Sequence, residues 1–200
     1  MNIVTHLQMG GELYEELYGV VELDRKSFVY GNIKPDCAVK TLLPPHTMTN
    51  YFEWVLDLSE YLIEKDLPRT VLSEGLGVLC HFLSDFCCLY HAKEEKFNNL
   101  IGHIIYEKRL HNHHMKKESS FFKEVFSCKP EPVRDLRQTI IDFREEYFSQ
   151  PHSLDLDLFY AYRLCNLICQ SVAYYRCGGI IYDETVYYAQ PGYVKLGGVK

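Results

Sequence analysis

The residues with the clearest potential for chemistry are a histidine and a carboxylate in the middle of the chain. His81 and Asp85 lie four positions apart, and apart from Asp85 residues 75–92 contain no Asp, Glu, Lys or Arg. This spacing places both side chains on one face of a helix. A carboxylate in so apolar a segment is expected to be buried, where it must be paired or bind a metal. Both a hydrogen-bonded His–Asp pair and a metal site fit this spacing.

The same residue types recur in order around this pair. His91 follows Asp85 by six positions, and His103 and Glu107 repeat the i, i+4 spacing further along. Imidazole nitrogens and carboxylate oxygens are ligands that zinc prefers, and a catalytic zinc keeps one position open for water. A single pair with such a spacing can arise by chance, so the indication of a zinc site comes from the whole ordered set of residues. Upstream, the set continues with His6, Asp36 and His46.

The elements that must position these residues are helices. Leucines and aromatic residues recur at steps of three and four, which predicts an all-α fold with a metal cluster buried between helices. Residues 19–45 carry the turn signals Tyr-Gly-Asn, Lys-Pro-Asp and Pro-Pro and predict a connecting region. We expect a single domain over residues 1–200. The predicted helices span Ile3–Leu17, 50–64, 68–90, 93–110, 132–148 and Leu154–Arg176.

Composition excludes several classes of protein. The 200 residues are 47% hydrophobic and 24% charged, which is typical of a globular domain and not of a disordered or fibrous chain. A net charge of −6 argues against duplex nucleic acid as a partner. The sequence shows no secretory leader and predicts no transmembrane segment. A cytoplasmic location is therefore expected, with the eight cysteines as free thiols.

Several short segments together resemble the zinc-dependent phospholipase C family and, more distantly, the zinc-dependent single-strand nucleases of the same fold. They are THL at 5–7, FVYGNIKPD ending at Asp36, the His46 that follows, GVLCHFLSDFCCLYH at 77–91 and HIIYE at 103–107. The family motif His-x3-Asp-x5-His is met by His81, Asp85 and His91. The resemblance covers residues 1–110. Beyond them only the helical character matches.

The resemblance implies a site with two or three zinc ions (Zn²⁺) per chain. In the family pattern, one zinc is held by the residues that match Asp36, His46, His81 and Asp85. A second is held by those that match His91, His103 and Glu107. A third is bridged by Asp85 and uses His6 and the backbone of Met1. The carboxylate that matches Asp36 is also a candidate general base.

A zinc-dependent phosphoesterase is therefore the leading functional hypothesis, with phospholipase C-like hydrolysis of a phosphodiester by a metal-activated water. Its partner would be a phosphate-ester substrate, with a phospholipid as the candidate that the family suggests. A cytoplasmic nucleotidase or phosphodiesterase acting on a soluble substrate is the alternative enzyme. A non-catalytic helical module that binds zinc is the alternative from another class. The metal content of the purified protein separates an enzyme from a module without bound metal.

Other polar and sulfur-containing residues favour structural interpretations. His111, His113 and His114 fall in a polar stretch and are expected in a solvated loop. Cys165 and Cys169 lie one turn apart on an apolar helix and are expected to be buried free thiols. The irregular tail after residue 177 is rich in tyrosines that could line a cleft or contact a lipid surface. These tyrosines are Tyr182, Tyr187, Tyr188 and Tyr193.

Overall fold

A computed structural model describes residues 1–37, 44–93, 99–127 and 129–178. Within these ranges the chain forms nine α-helices and no β-strand. The all-α prediction is therefore confirmed. The helices are α1 (Ile3–Leu17), α2 (Arg25–Cys37), α3 (Met48–Glu64), α4 (Arg69–Phe86), α5 (Leu89–Ala92), α6 (Leu100–His114), α7 (Ser119–Val125), α8 (Leu136–Ser149) and α9 (Leu154–Arg176).

Helix α4 lies at the centre of the fold and packs closely against α2. At Gly31 of α2, an added Cβ atom would clash with the carbonyl oxygen of Glu74. At Gly77 of α4, a Cβ atom would clash with the carbonyl oxygen of Phe28. The two glycines therefore allow the two helix backbones to approach each other more closely than any side chain would permit. This contact fixes the position of the α4 face that carries His81 and Asp85.

The prediction of a connecting region over residues 19–45 is wrong for residues 25–37, which form α2. Pro35 lies in the last turn of the helix, where the loss of one N–H donor costs a single hydrogen bond. At the start of α2, the Asp24 carboxylate accepts a hydrogen bond of 2.9 Å from the Ser27 N–H. The turn signals describe a local preference of the chain, and the packing of α2 on α4 outweighs that preference.

Helix α9 has the bounds that the sequence predicts, and it packs against α4, α3, α1 and α8. Cys165 and Cys169 are fully buried free thiols, as expected. The Cys169 Sγ lies 3.3 Å from the Cys80 Sγ of α4. The thiols fill the contact between the two longest helices of the described chain and act there as small apolar groups.

Several boundaries differ from the predictions. The segment 68–90 divides into α4 and α5 because the helix breaks at Cys87 and Cys88. Helix α6 begins at Leu100 and continues to His114, past the predicted end at 110. Residues 94–98 of the helix predicted over 93–110 lie outside the described residues. The short helix α7 and the true start of α8 at Leu136 were not predicted.

The predicted solvated loop around residues 110–117 is wrong up to His114, because the helix α6 continues to that residue, and the expected solvation is wrong for His114 itself. His114 is 2% exposed, and its Nε2 lies 2.9 Å from Glu12 Oε2 and 2.7 Å from Tyr162 Oη. These partners come from α1 and α9, so only the tertiary fold supplies them. The tail tyrosines Tyr182, Tyr187, Tyr188 and Tyr193 lie outside the described residues. No described helix is both long and apolar enough to cross a membrane.

Candidate metal centre

The first cluster comprises His6, Asp36, His46, His81 and Asp85, which α1, α2, α4 and the segment before α3 bring together. His6 Nε2 lies 3.4 Å from Asp85 Oδ1, and His81 Nε2 lies 3.6 Å from Asp85 Oδ2. The His6 and His81 rings stack with centroids 3.9 Å apart. All three residues have no exposed surface, so the Asp85 carboxylate is surrounded by imidazoles inside the core.

Asp36 and His46 complete the first cluster on its more accessible side. His46 Nδ1 lies 2.9 Å from His81 Nε2, 3.5 Å from Asp85 Oδ2 and 3.9 Å from Asp36 Oδ1. The side chains of His46 and Asp36 are 12% and 9% exposed. Because the rest of the cluster is closed to solvent, a molecule approaching it would reach these two residues first.

The second cluster comprises His91, His103 and Glu107, carried by α5 and α6. Helical spacing on α6 puts His103 Nε2 3.1 Å from Glu107 Oε1. His91 Nε2 lies 3.0 Å from His103 Nε2 and 3.3 Å from Glu107 Oε1. The spacing within α6 is a local property of the sequence, but the contacts of His91 with His103 and Glu107 depend on the tertiary fold.

Asp85 joins the two clusters. Its Oδ2 lies 3.5 Å from His91 Nδ1, while its Oδ1 contacts the Met1 amino group. The same amino group lies 3.0 Å from His91 Nε2 and 3.5 Å from Glu107 Oε1. All nine residues that the sequence singled out as candidate ligands therefore form one connected, largely buried centre.

Hydrogen bonds around the first cluster orient the rings of His6 and His81 so that their Nε2 atoms face its interior. His81 Nδ1 lies 2.9 Å from the Asn32 carbonyl oxygen, which can only accept, so Nε2 keeps its lone pair. The Ser84 hydroxyl donates to the His81 carbonyl and therefore accepts from His6 Nδ1 at 3.3 Å. His6 Nε2 then faces the carboxylate of Asp85. Imidazoles whose second ring nitrogen is held by an outer hydrogen bond are typical of metal ligands.

The donor atoms fit a divalent metal. Among the described residues, His6 Nε2, Asp36 Oδ2 and Asp85 Oδ2 are buried atoms without a hydrogen-bond partner. Two ligands of a tetrahedral zinc at about 2.0–2.1 Å are separated by roughly 3.3 Å. The contacts of 2.9 Å between His46 and His81, and of 3.0 Å between His91 and His103, lie close to that value. Each contact holds either a proton on one of the two nitrogens or a cation between them, and only a cation binds the lone pairs of both nitrogens at once.

Burial and charge shift the pKa values of several of these groups. Burial lowers the pKa of His81 and of His91, so both imidazoles are neutral near pH 7. Burial alone would raise the pKa of Asp85, but His91, the Met1 ammonium and His6 outweigh it and lower that pKa. Glu107 behaves similarly, because hydrogen bonds from His103 and His91 outweigh its burial. The carboxylates are therefore ionised and available to a cation.

The Met1 amino group is fully buried beside these carboxylates. Burial by itself lowers its pKa, but Asp85 and Glu107 outweigh that effect and raise the pKa to about 11. In the metal-free geometry the ammonium thus supplies positive charge to the centre. To act as a metal ligand the group must release its proton, so metal binding there is coupled to proton release.

The sequence interpretation missed the residues that support the second cluster from outside. The Tyr90 ring stacks on His103 with centroids 5.6 Å apart, and Tyr106 and Asp157 lie behind it. Asp157 gave no chemical signal because it occupies the first turn of α9, where acidic residues are common for reasons of helix stability. Only its burial, with no exposed surface, distinguishes it from an ordinary helix-start residue.

The fold and the centre define a helical protein with a buried cluster of imidazoles and carboxylates suited to several divalent metal ions. The model of the zinc-dependent phospholipase C family matches residues 5–168, so the chain belongs to that family and its domain is of the zinc phosphoesterase type. This confirms the resemblance and extends it beyond residue 110. Every candidate ligand except Met1 falls within the matched residues. Neither the curated proteins nor the solved structures contain a match to the chain.

Proposed function

We propose that the protein is a zinc-dependent phosphoesterase that hydrolyses a phosphodiester with a metal-activated water, as a phospholipase C does. The observation that carries this proposal is the buried centre, in which neutral imidazoles and ionised carboxylates face one another. Asp36, His46, His81 and Asp85 would hold one zinc, and His91, His103 and Glu107 a second. His6 and the Met1 amino group would hold a third, together with Asp85.

Zinc at such a centre polarises a phosphoryl oxygen and lowers the pKa of water to about 7. The chain's own residues provide the rest of the chemistry. Asp36 is the candidate general base, because its Oδ2 has no hydrogen-bond partner among the described residues and lies at the accessible side of the first cluster. It can accept a hydrogen bond or a proton from an attacking water. His6, His81 and Asp85 are closed to solvent and would exclude other water.

The outward face of α6 supports a phospholipid as the substrate. Leu100, Ile101, Ile104 and Ile105 are 68%, 73%, 58% and 53% exposed, and they lie on adjacent positions of two helical turns. We call these four residues the aliphatic face. An exposed apolar patch of this kind is typical of a surface that contacts a protein or a lipid. The inward side of the same helix carries His103 and Glu107, so a lipid bound at this face would be separated from the second cluster by the width of one helix.

The exposed residues that follow the aliphatic face along α6 are Lys108 and Arg109. Basic side chains beside an apolar helical face favour contact with the phosphate groups of a bilayer surface. A long nucleic acid is disfavoured because the whole chain has a net charge of −6. The phospholipid hypothesis is therefore preferred to a soluble nucleotide or phosphodiester. The cytoplasmic location stays a prediction.

Two measurements on the purified protein test the proposal. Metal analysis is expected to find two or three zinc ions per chain, removable with a chelator. The zinc-loaded protein should then hydrolyse phosphatidylcholine in vesicles and a chromogenic phosphodiester such as bis(p-nitrophenyl) phosphate. Asp36→Asn should keep most of its zinc while its turnover falls by about 100-fold or more, since it removes a general base. A protein that binds zinc but hydrolyses no phosphate ester would contradict the enzyme and favour the binding module.

A further inference from the structure

Asp157 is a buried carboxylate outside the candidate metal centre, and it has no exposed surface. Its Oδ2 accepts hydrogen bonds from the Leu89 N–H at 3.1 Å and from the Tyr106 hydroxyl at 2.5 Å. Its Oδ1 accepts from the Tyr147 hydroxyl at 2.8 Å and lies 3.0 Å from His152 Nε2. Among the described residues no lysine or arginine forms an ion pair with it. A buried charge is tolerated only with such a complete set of donors.

The donors on Oδ2 belong to the two elements that carry the second cluster. Leu89 is the first residue of α5, and His91 lies two positions further on. Tyr106 lies on α6 immediately before Glu107 and three positions after His103. Asp157 Oδ2 on α9 therefore links the α5 backbone near His91 to the Tyr106 side chain of α6.

Helix α5 needs such support because it has only four residues. A helix of this length has no stability of its own. Its first N–H is held by Asp157, and the carbonyl oxygen of Ala92 at its other end accepts a hydrogen bond of 2.8 Å from Arg144 of α8. The direction of the His91 side chain is thus set by groups on α8 and α9 rather than by α5 itself.

We propose that Asp157 is a positioning residue that holds His91, His103 and Glu107 in the geometry of a metal site. This inference rests on the proposed function, which assigns these three residues as zinc ligands. The first cluster has no comparable dependence on Asp157, because α1, α2 and α4 pack directly on one another around it. Loss of Asp157 should therefore weaken metal binding at the second cluster and leave the first largely intact.

The chain offers a matched pair of variants for the test. Tyr106→Phe and Tyr147→Phe each remove one buried hydroxyl that donates to Asp157, but only Tyr106 lies on the helix that carries His103 and Glu107. Asp157→Asn removes the charge while keeping the size of the side chain. Circular dichroism and thermal unfolding of each variant report whether the fold is retained.

Zinc affinity is measured by competition with a chromogenic chelator, and ligand geometry by the visible d–d bands of the cobalt-loaded protein. Asp157→Asn and Tyr106→Phe should lower the affinity for one of the bound zinc ions by about tenfold or more, as outer partners of metal ligands do. Part of the cobalt spectrum should change with it. Tyr147→Phe should lose similar thermal stability but keep the wild-type affinity and spectrum.

Equal zinc affinities and cobalt spectra in wild type and Asp157→Asn would overturn the inference while leaving the proposed function intact. An equal loss of affinity in Tyr147→Phe would also overturn it, because a general loss of stability would then explain the effect. If the wild type binds zinc but hydrolyses no phosphate ester, the proposed function fails and these affinities still decide the role of Asp157. If the wild type binds no zinc, both fail.

Discussion

The two clusters of the candidate metal centre share Asp85 but are supported in different ways. The first cluster rests on the pair α2 and α4, whose backbones meet at Gly31 and Gly77. The second rests on α5, a four-residue helix, and on α6, whose outward face is exposed and aliphatic. The first is held by close backbone packing, and the second by hydrogen bonds from α8 and α9.

This difference indicates how each cluster should respond to change. Close packing has few alternative arrangements, so a disturbance of α2 and α4 should cost the whole fold. Hydrogen-bonded support can be removed one group at a time, so the second cluster should lose metal affinity before the protein unfolds. The following predictions test this comparison, from the largest expected effect to the smallest.

Gly77→Ala should abolish folding or lower the free energy of unfolding by about 3 kcal/mol or more, because the new methyl group would collide with the Phe28 carbonyl oxygen. Gly11→Ala is the matched control. Its Cβ would meet no heavy atom within 4 Å, so alanine should raise helix stability by up to about 1 kcal/mol. Urea unfolding monitored by circular dichroism measures both. A stable Gly77→Ala protein would refute close backbone packing as the support of the first cluster.

Asp85→Asn should cost more zinc than any other single change at the centre, since Asp85 contacts candidate ligands of both clusters. Glu107→Gln should weaken only the second cluster. Removing an outer partner of a metal ligand lowers metal affinity or activity by up to roughly 100-fold. We expect the phosphoesterase rate of Asp85→Asn to fall by at least that factor, because Asp85 is itself a candidate ligand. Zinc content and rate are measured on both proteins under the same conditions. Full zinc occupancy in Asp85→Asn would exclude Asp85 as the shared residue.

A charge on the aliphatic face should affect the enzyme only at a lipid surface. Ile104→Glu should reduce hydrolysis of vesicle phospholipid by about tenfold, because burying an isoleucine side chain contributes roughly 1.5–3 kcal/mol. Hydrolysis of a soluble chromogenic phosphodiester should stay at the wild-type rate. Val71→Glu on α4 is the control, since Val71 is 47% exposed and lies on another helix. Equal vesicle activity in both variants would indicate a soluble substrate.

Acid should destabilise the metal-free protein through a buried imidazole in each cluster. His81 and His91 have lowered pKa values in the folded state, so they stay neutral while the unfolded chain takes up protons near pH 6.5. The free energy of unfolding should therefore fall as the pH decreases below about 6.5. Urea unfolding in chelator at several pH values measures this slope. His81→Gln and His91→Gln should each flatten it, because each removes one buried imidazole with a lowered pKa.

Local sequence patterns predicted the helices whose apolar spacing is strong and whose ends carry clear signals. α1 and α9 have the predicted bounds, and Asn2 and Ser153 cap them by accepting a hydrogen bond from a backbone N–H. α2 was missed because Tyr-Gly-Asn and Lys-Pro-Asp are turn signals wherever they occur. Gly31 belongs to that signal, yet it is the residue that allows α2 to pack on α4.

The candidate site shows the same contrast between what the sequence predicts and what helix packing decides. Residue types in order along the chain pointed to eight of the nine candidate ligands, with helical spacing accounting for the pairs 81/85 and 103/107. The family resemblance assigned these residues to zinc ions and added Met1. What supports them was not visible in the sequence. Asp157 and His114 look like a helix-start residue and a solvated histidine until partners from other helices close around them.

The sequence by itself therefore determined the helical class, which depends on short-range spacing. Through the ordered motifs of the resemblance, it also determined the family and the candidate ligands. Only the tertiary structure decided that His91 reaches His103 and that the Met1 amino group reaches Asp85. It also decided that Asp157 joins α5 to α6. Such contacts arise from how whole helices pack, and packing depends on the shape of many side chains at once rather than on any local spacing.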